Sequence, residues 1–191
     1  ERALRDGADY AEIFAEDTES RAMELRNGQV EKANYMRACG AGVRVLSGVH
    51  SAYAYTAGLE ERALLDTAAA ACAGLKAEGA AEQAAFCANR YGLTQEIPFS
   101  GVDNAKRAAL LTDAAKAAQA VSSEITQVIA GYTDKVRRVL IATSDGRLVQ
   151  AEQPRTRGYV RTVAMRDGQA QTGFEGPGCC RGFEAYAGAI D

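Results

Sequence analysis

RAMELRNGQVEKANYMRACGAGVRVLSGVHSAYAYT, residues 21–56, decides how this chain folds. Met23 and Leu25 stand before Asn27-Gly28 and Val30 after it. An Asn-Gly step supplies the two positive φ angles of a tight type I′ turn, so the first half predicts a β-hairpin. In the second half Val43 and Val45 lead to a turn at Ser47-Gly48, and Tyr53 and Tyr55 follow at period two, which predicts another. Upstream, DYAEIFAEDT (9–18) sets Tyr10, Glu12, Phe14 and Glu16 on one side and Ala11, Ile13 and Ala15 on the other, the alternation of a strand.

Beyond Leu59 the period changes. Leu64, Ala68, Cys72 and Leu75 recur at helical spacing, predicting an amphipathic helix over 59–76 that ends at Lys76 before Gly79. Residues 77–102 read as irregular, with Pro98 and Gly101 marking a loop. Asp103 can cap a second helix reaching about Val121, with Leu110, Ala114, Ala117 and Val121 inside and Lys106, Asp113 and Lys116 outside. Strands then return: Ile125, Val128 and RRVLIAT run into Ser144-Asp145-Gly146, and RLVQAEQ and RGYVRTVAMRDGQAQTGFE carry a turn at Asp167-Gly168.

The expected class is α+β: two mainly antiparallel β-hairpin blocks with two alanine-rich helices between them. Along the chain this divides into 1–76 (first strand block plus helix), 77–102 (irregular connection), 103–175 (second helix plus second strand block) and 176–191 (a Gly-rich linker). The blocks share an order: NGQV, GVRVLSG and SAYAY in the first, DGRLV, YVRTVAMRDG and QTGF in the second. Internal duplication would produce this, and so would two unrelated hairpins using the same Asn/Asp-Gly turns.

The 191 residues suffice for a core without disulfide or metal staples. A net charge of −3, from 22 basic and 25 acidic residues without long runs of one sign, argues against direct nucleic-acid binding. No apolar run approaches the ~18 residues of a membrane span, and no export segment opens the chain; a soluble, cytoplasmic protein is expected. Cys39, Cys72, Cys87, Cys179 and Cys180 form no CxxC pair, which speaks against structural zinc and for small hydrophobes in a reducing compartment. The exception is Cys179-Cys180, in a glycine-rich loop where thiols would be exposed. Opening on Glu1 and stopping at Ala-Ile-Asp, the sequence has the look of a fragment of a longer protein.

Candidate chemistry is sparse. His50 is the only histidine and falls at the second hairpin turn, so neither HExxH nor a multi-histidine site exists. Glu12, Glu16 and Glu24 alternate with basic residues such as Arg26 like a solvated sheet face. No GxSxG, P-loop or GxGxxG occurs. FEGPGCCRGFEAY (174–186) is either an interdomain linker or a loop that contacts a ligand.

The order of GADYAEIF, NGxVE, GxGVRVLSG, ATSDG and GFEGPGCCRGFE resembles the amino-terminal part of the TldD/PmbA family, described as modulators of DNA gyrase and as metalloproteases. Nearly the whole chain takes part, and the last stretch is similar to the TldD branch. The resemblance implies a two-part protein whose carboxy-terminal region carries an HExxxH zinc motif with a further cysteine ligand. That motif does not occur in these residues, so no catalytic residue and no metal ligand is carried over; Cys179 and Cys180 fall where the family tends to have glycines. Zinc is expected only in the rest of the protein, and no cofactor in this part. The resemblance also implies a homodimer, or a heterodimer with a TldE/PmbA-like subunit, that cleaves unfolded peptides such as bacteriocin precursors and antitoxins. An antiparallel sheet can offer such peptides an edge for main-chain pairing. The noncatalytic part of the peptide cleft and subunit interface is therefore the expected role, with Arg44, Arg161, Gly176, Gly178 and Arg181 as the candidate cleft residues. The alternatives are a protein-binding module acting on gyrase or a toxin–antitoxin pair without proteolysis, and thiol chemistry at Cys179-Cys180.

Overall fold

The computed structural model describes residues 1–75 and 81–186. Helix α1 (Arg2–Arg5) precedes strands β1 (Tyr10–Arg26), β2 (Gln29–Ser47) and β3 (His50–Thr56). Helix α2 (Glu61–Ala73), strand β4 (Cys87–Gly92) and helix α3 (Asn104–Ala120) come next. The chain then returns to β5 (Ile125–Thr143), β6 (Arg147–Arg166), β7 (Gln169–Glu175) and β8 (Gly178–Cys179). The class is α+β with mainly antiparallel pairing. Strand order is β3-β2-β1-β5-β6-β4, and β7 and β8 also pair with β6.

Turn chemistry sets the register. Asn27 and Gly28 have φ of 48° and 82°, and Asp167 and Gly168 have 51° and 78°, so the β1–β2 and β6–β7 hairpins each close through two left-handed residues. The Gly48-Val49 turn places Ser47 opposite His50 and Arg44 opposite Tyr53. These strands run much longer than the segments read from the sequence. Asp17, Thr18, Glu19 and Ser20 carry no apolar alternation, and only the ladder on both sides holds them extended.

Two units make up the described chain, and β1, β2, β5 and β6 each give one segment to each. The first unit comprises Glu1–Thr18, Arg37–Gly92 and Arg137–Glu152. Its core joins Ala3, Leu4 and Ala8 to Val43 and Val45, and α2 closes it with Ala68, Ala71 and Cys72. Ala68 and Cys72 occupy the stripe expected for them, but the helix ends earlier than expected, at Ala73 with Gly74 as its C-cap, and Lys76 and Gly79 lie outside the described residues. Strand β4 is a departure, because it sits in the stretch read as irregular and pairs in parallel with β6 from Cys87–Arg147 to Gly92–Glu152. All its residues are exposed, so no apolar periodicity marks it, and main-chain pairing alone makes it a strand.

The second unit comprises Glu19–Met36, Leu93–Val136 and Gln153–Asp191. Asp103 caps α3 by accepting a hydrogen bond from the Lys106 amide at 2.7 Å. The buried face of α3 is Arg107, Leu111 and Ala115, one residue out of phase with the expected Leu110, Ala114, Ala117 and Val121; Leu110 still packs against this core at its margin, while Val121 is 79% exposed. A charged residue at the start of the buried stripe explains the misphasing. Arg107 donates to Asp134 through Nη2 at 2.7 Å and Nε at 3.1 Å, to the Phe99 carbonyl at 2.9 Å and to the Val102 carbonyl. One guanidinium thus ties β5, the turn before α3 and α3 together. Around it Met23, Leu25, Leu111, Ala115, Val128, Ala130 and Tyr132 form the core. Residues 176–186, the start of the segment expected to be a linker, pack into this unit. β8 pairs with β6 at Thr156 and Arg157, and Phe183 and Tyr186 each meet the Tyr132 ring edge-on at 5.8 Å. Residues 187–191 lie outside the described residues.

Two stability predictions follow from this core. Asp134→Ala strands a buried guanidinium and should cost about 3–5 kcal/mol in urea unfolding; a loss under ~1 kcal/mol would contradict the pinning role. The Tyr132 hydroxyl is buried with no partner at hydrogen-bond distance, although Thr156 and Asp134 lie near enough to perturb it, and burial pushes its phenol up. The folded state therefore keeps this proton, and its contribution is complete below the ordinary tyrosine value of about 10 and declines as pH rises above it. Tyr132→Phe should raise stability by about 1 kcal/mol at neutral pH and flatten the alkaline decline; a destabilised variant would mean that the hydroxyl has a partner.

Candidate functional site

The sheet of the second unit is covered by α3 on one face only. On the other face lies a cleft of about 750 Å³. Strand alternation assigns its walls: Ser20 and Ala22 from β1, Asn34 and Met36 from β2, Thr133 and Lys135 from β5, and Arg155 and Arg157 from β6, with Gly178, Cys179 and Cys180 at one side. Small side chains on the central strands keep the floor low.

Further along the same face an aromatic shelf continues the floor. The Tyr159 ring lies over Gly131, where a Cβ would stand only 2.1 Å from it, so glycine is required there. Its hydroxyl donates to Glu24 Oε2 at 2.7 Å, and this bond, helped by Lys32 and Arg26, holds the Glu24 carboxyl below its usual range. Phe174 stacks on Tyr159 with ring centroids 6.2 Å apart. The Arg157 and Arg161 guanidinium groups lie 5.7 and 5.8 Å from the Phe174 centroid, a cation–π bracket.

The candidate residues named from the sequence separate between the units. Arg161 stands opposite Phe174 in the β6–β7 register, Gly178 lines the cleft, and Gly176 sits where a Cβ would come within 2.9 Å of Phe174 and 3.0 Å of Arg157 Nη2. Arg181 lies within 3.8 Å of Glu96 and 3.9 Å of Glu184, in a local ion cluster. Arg44 belongs to the first unit, where Glu12 holds it at 2.8 Å. Lys135, Arg155, Arg157 and Tyr159 escaped the sequence reading. Their signal is visible in hindsight, because Arg155, Arg157, Tyr159 and Arg161 alternate at period two and so share one face of β6.

Acid–base and metal chemistry find little purchase. His50 is exposed as the first residue of β3. Glu12 and Glu16 are engaged by Arg44 and Arg137 at 2.8 and 2.7 Å. Cys72 is buried, which pushes its thiol up, while Cys39, Cys87 and Cys180 are exposed and Cys179 is half-buried. Among the described residues no group of three His, Cys, Asp or Glu side chains is placed to hold a metal ion, so these residues do not fit a zinc site. A smaller cavity of about 410 Å³ in the first unit carries Asp17, Arg138 and Glu152. Asp17 is bound by Arg37 at 2.8 and 3.0 Å, which holds its carboxyl low, and Arg138 reaches Glu152 at 3.1 Å. Of the charged side chains lining it, Arg90 is left without a described carboxylate beside it. No helix among the described residues is long and apolar enough to cross a membrane.

Comparison with known proteins places this fold. The sequence matches PmbA/TldA metallopeptidase domain 1 over residues 11–75 and the PmbA/TldA metallopeptidase central domain over residues 97–190. It is 24% identical over 189 residues to the metalloprotease TldD homologue of Haemophilus influenzae, covering 96% of this chain and 39% of that protein. It is 21% identical to the TldD homologue of Buchnera aphidicola, covering 89% of this chain and 36% of that protein. The chain thus spans about two-fifths of the length of these relatives. In structure it is similar to a protein of Thermotoga maritima described as a modulator of a DNA gyrase (TM-score 0.70, 16% identity, 90% of this chain and 40% of that one). It is also similar to TldE of Thermococcus kodakarensis (TM-score 0.65, 13% identity, 93% of this chain and 41% of that one). With two consecutive domains matched over most of its length, the chain belongs to the PmbA/TldD metallopeptidase family.

Proposed function

We propose that this chain is the noncatalytic amino-terminal part of a TldD-like zinc metallopeptidase, and that it forms one wall of a cleft for unfolded peptides together with part of a subunit interface. The observation that carries the reading is the uncovered sheet face of the second unit, an open cleft with a low floor and an aromatic shelf but no hydrolytic set of side chains. An extended chain can lie in such a groove without a folded epitope. In this reading the metal-binding residues belong to the remainder of the longer protein.

Subunit contact has a natural place at β2. Strand β3 covers Ala41–Ser47 of β2, whereas the Gln29–Met36 segment is exposed along its whole length, with Tyr35 and Met36 among its side chains. A long exposed edge of this kind invites pairing with another chain. We assign it to a second copy or to a TldE/PmbA-like partner in the cytoplasm. Internal duplication is part of the proposal: Arg44 opposite Tyr53 in one hairpin matches Arg161 opposite Phe174 in the other.

The test compares the 191-residue chain with the longer protein on a fluorogenic unstructured peptide, with zinc and with a chelator. The chain alone should bind the peptide and leave it intact under both conditions, and the longer protein should cleave it in a chelator-sensitive way. Chelator-sensitive cleavage by the chain alone would overturn the noncatalytic assignment. An inactive longer protein would favour the binding-module alternative.

A further inference from the structure

Arginines outside the open face are mostly held by a carboxylate. Arg21, Arg26, Arg37, Arg44, Arg107, Arg137, Arg138 and Arg166 all lie within 4.0 Å of a carboxylate. Lys135, Arg155, Arg157 and Arg161 are exposed, and no described carboxylate pairs with any of them. Arg157 and Arg161 instead bracket Phe174, and Arg157 Nε donates only to the Gly176 carbonyl at 3.3 Å. In a protein of net charge −3 a cleft lined by Lys135, Arg155 and Arg157, with Arg161 beside the aromatic shelf, is a specific local field.

Their spacing is informative as well. Arg155, Arg157, Tyr159 and Arg161 are successive same-face positions of β6, so neighbours stand about 7 Å apart. A peptide in extended conformation presents its own same-face side chains at that interval. Resting on the peptide-cleft reading above, we infer that the open face of β5 and β6 docks an extended peptide segment with Asp or Glu at alternate positions, and that the Tyr159-Phe174 shelf takes an apolar residue of the same segment. Lys135, Arg155 and Arg157 meet the carboxylates. In the first-unit cavity Asp17, Arg138 and Glu152 neutralise one another and leave Arg90, whereas this surface gathers several unpaired cations in one place.

The experiment measures fluorescence anisotropy of the chain with two labelled peptides of about ten residues, one alternating Glu with Ser and ending in Leu, the other with Gln for every Glu. The acidic peptide should bind about tenfold more tightly, and raising salt from ~0.05 to ~0.3 M should remove most of that advantage. The double variant Arg155→Gln, Arg157→Gln, checked for an unchanged melting temperature, should bind the two peptides equally, while Lys116→Gln on α3 should leave the preference intact. Equal binding of both peptides to the unaltered chain would overturn the charge preference and leave the peptide wall standing. Binding of neither would instead count against the wall itself. A preference that survives the double variant would overturn the location, and displacement of the acidic peptide by a single-stranded oligonucleotide at lower concentration would overturn the choice of occupant.

Discussion

The buried pair of Arg107 and Asp134 is the interaction on which the second unit depends. A guanidinium and a carboxylate, 2% and 0% exposed, are costly to bury, and every strong donor direction of Arg107 must be met within the fold. The carboxylate sits on β5 and the two carbonyls come from the turn before α3, so the helix can dock on the sheet in one position only. An apolar contact between an alanine-rich helix and a sheet would tolerate sliding; this one does not. The cost of desolvation is exchanged for a defined register between helix and strand.

That register decides which face of the sheet is left open. With Met23, Leu25, Val128, Ala130 and Tyr132 turned toward α3, alternation sends Ser20, Ala22, Gly131, Thr133 and Lys135 the other way. The floor of the cleft is thus the obligatory complement of the core. Gly131 lets Tyr159 lie flat against the backbone, and Tyr159 in turn positions Phe174 and holds Glu24. The result is an open surface built of sheet, on which no group of three His, Cys, Asp or Glu among the described residues is placed to hold a metal ion. The first unit organises its charge differently, and its ion pairs read as scaffold.

Sequence reasoning reached the hairpins because Asn27-Gly28 and Asp167-Gly168 carry their geometry in two residues each, while the turn expected at Ser47-Gly48 falls one residue later, at Gly48-Val49. It reached both helices for similar reasons, with Asp103 capping where expected. Strand β4 was illegible, since CANRYG has no periodicity and owes its conformation to a distant partner strand. The face of α3 was misread because a buried arginine looks like a surface residue until its carboxylate is seen. The cleft shows the same limit: period-two arginines in β6 were visible as letters, but their lack of counter-ions depends on neighbours that only the fold supplies. Gly176 and Gly178, named from the loop composition, lie beside the open face, and Arg44, named from the repeat, lies in the first unit.

The central claim, that the open face of the second unit holds peptide, is tested most directly by thiol footprinting. Cys179 and Cys180 line the cleft, while Cys39 and Cys87 are exposed in the first unit and serve as internal controls. Alkylation of each cysteine by iodoacetamide can be followed by mass spectrometry with and without saturating unfolded peptide. The account predicts slower labelling at Cys180 and Cys179 with unchanged rates at Cys39 and Cys87. Unchanged labelling at Cys180 under saturation, or equal slowing at all the exposed thiols, would contradict it.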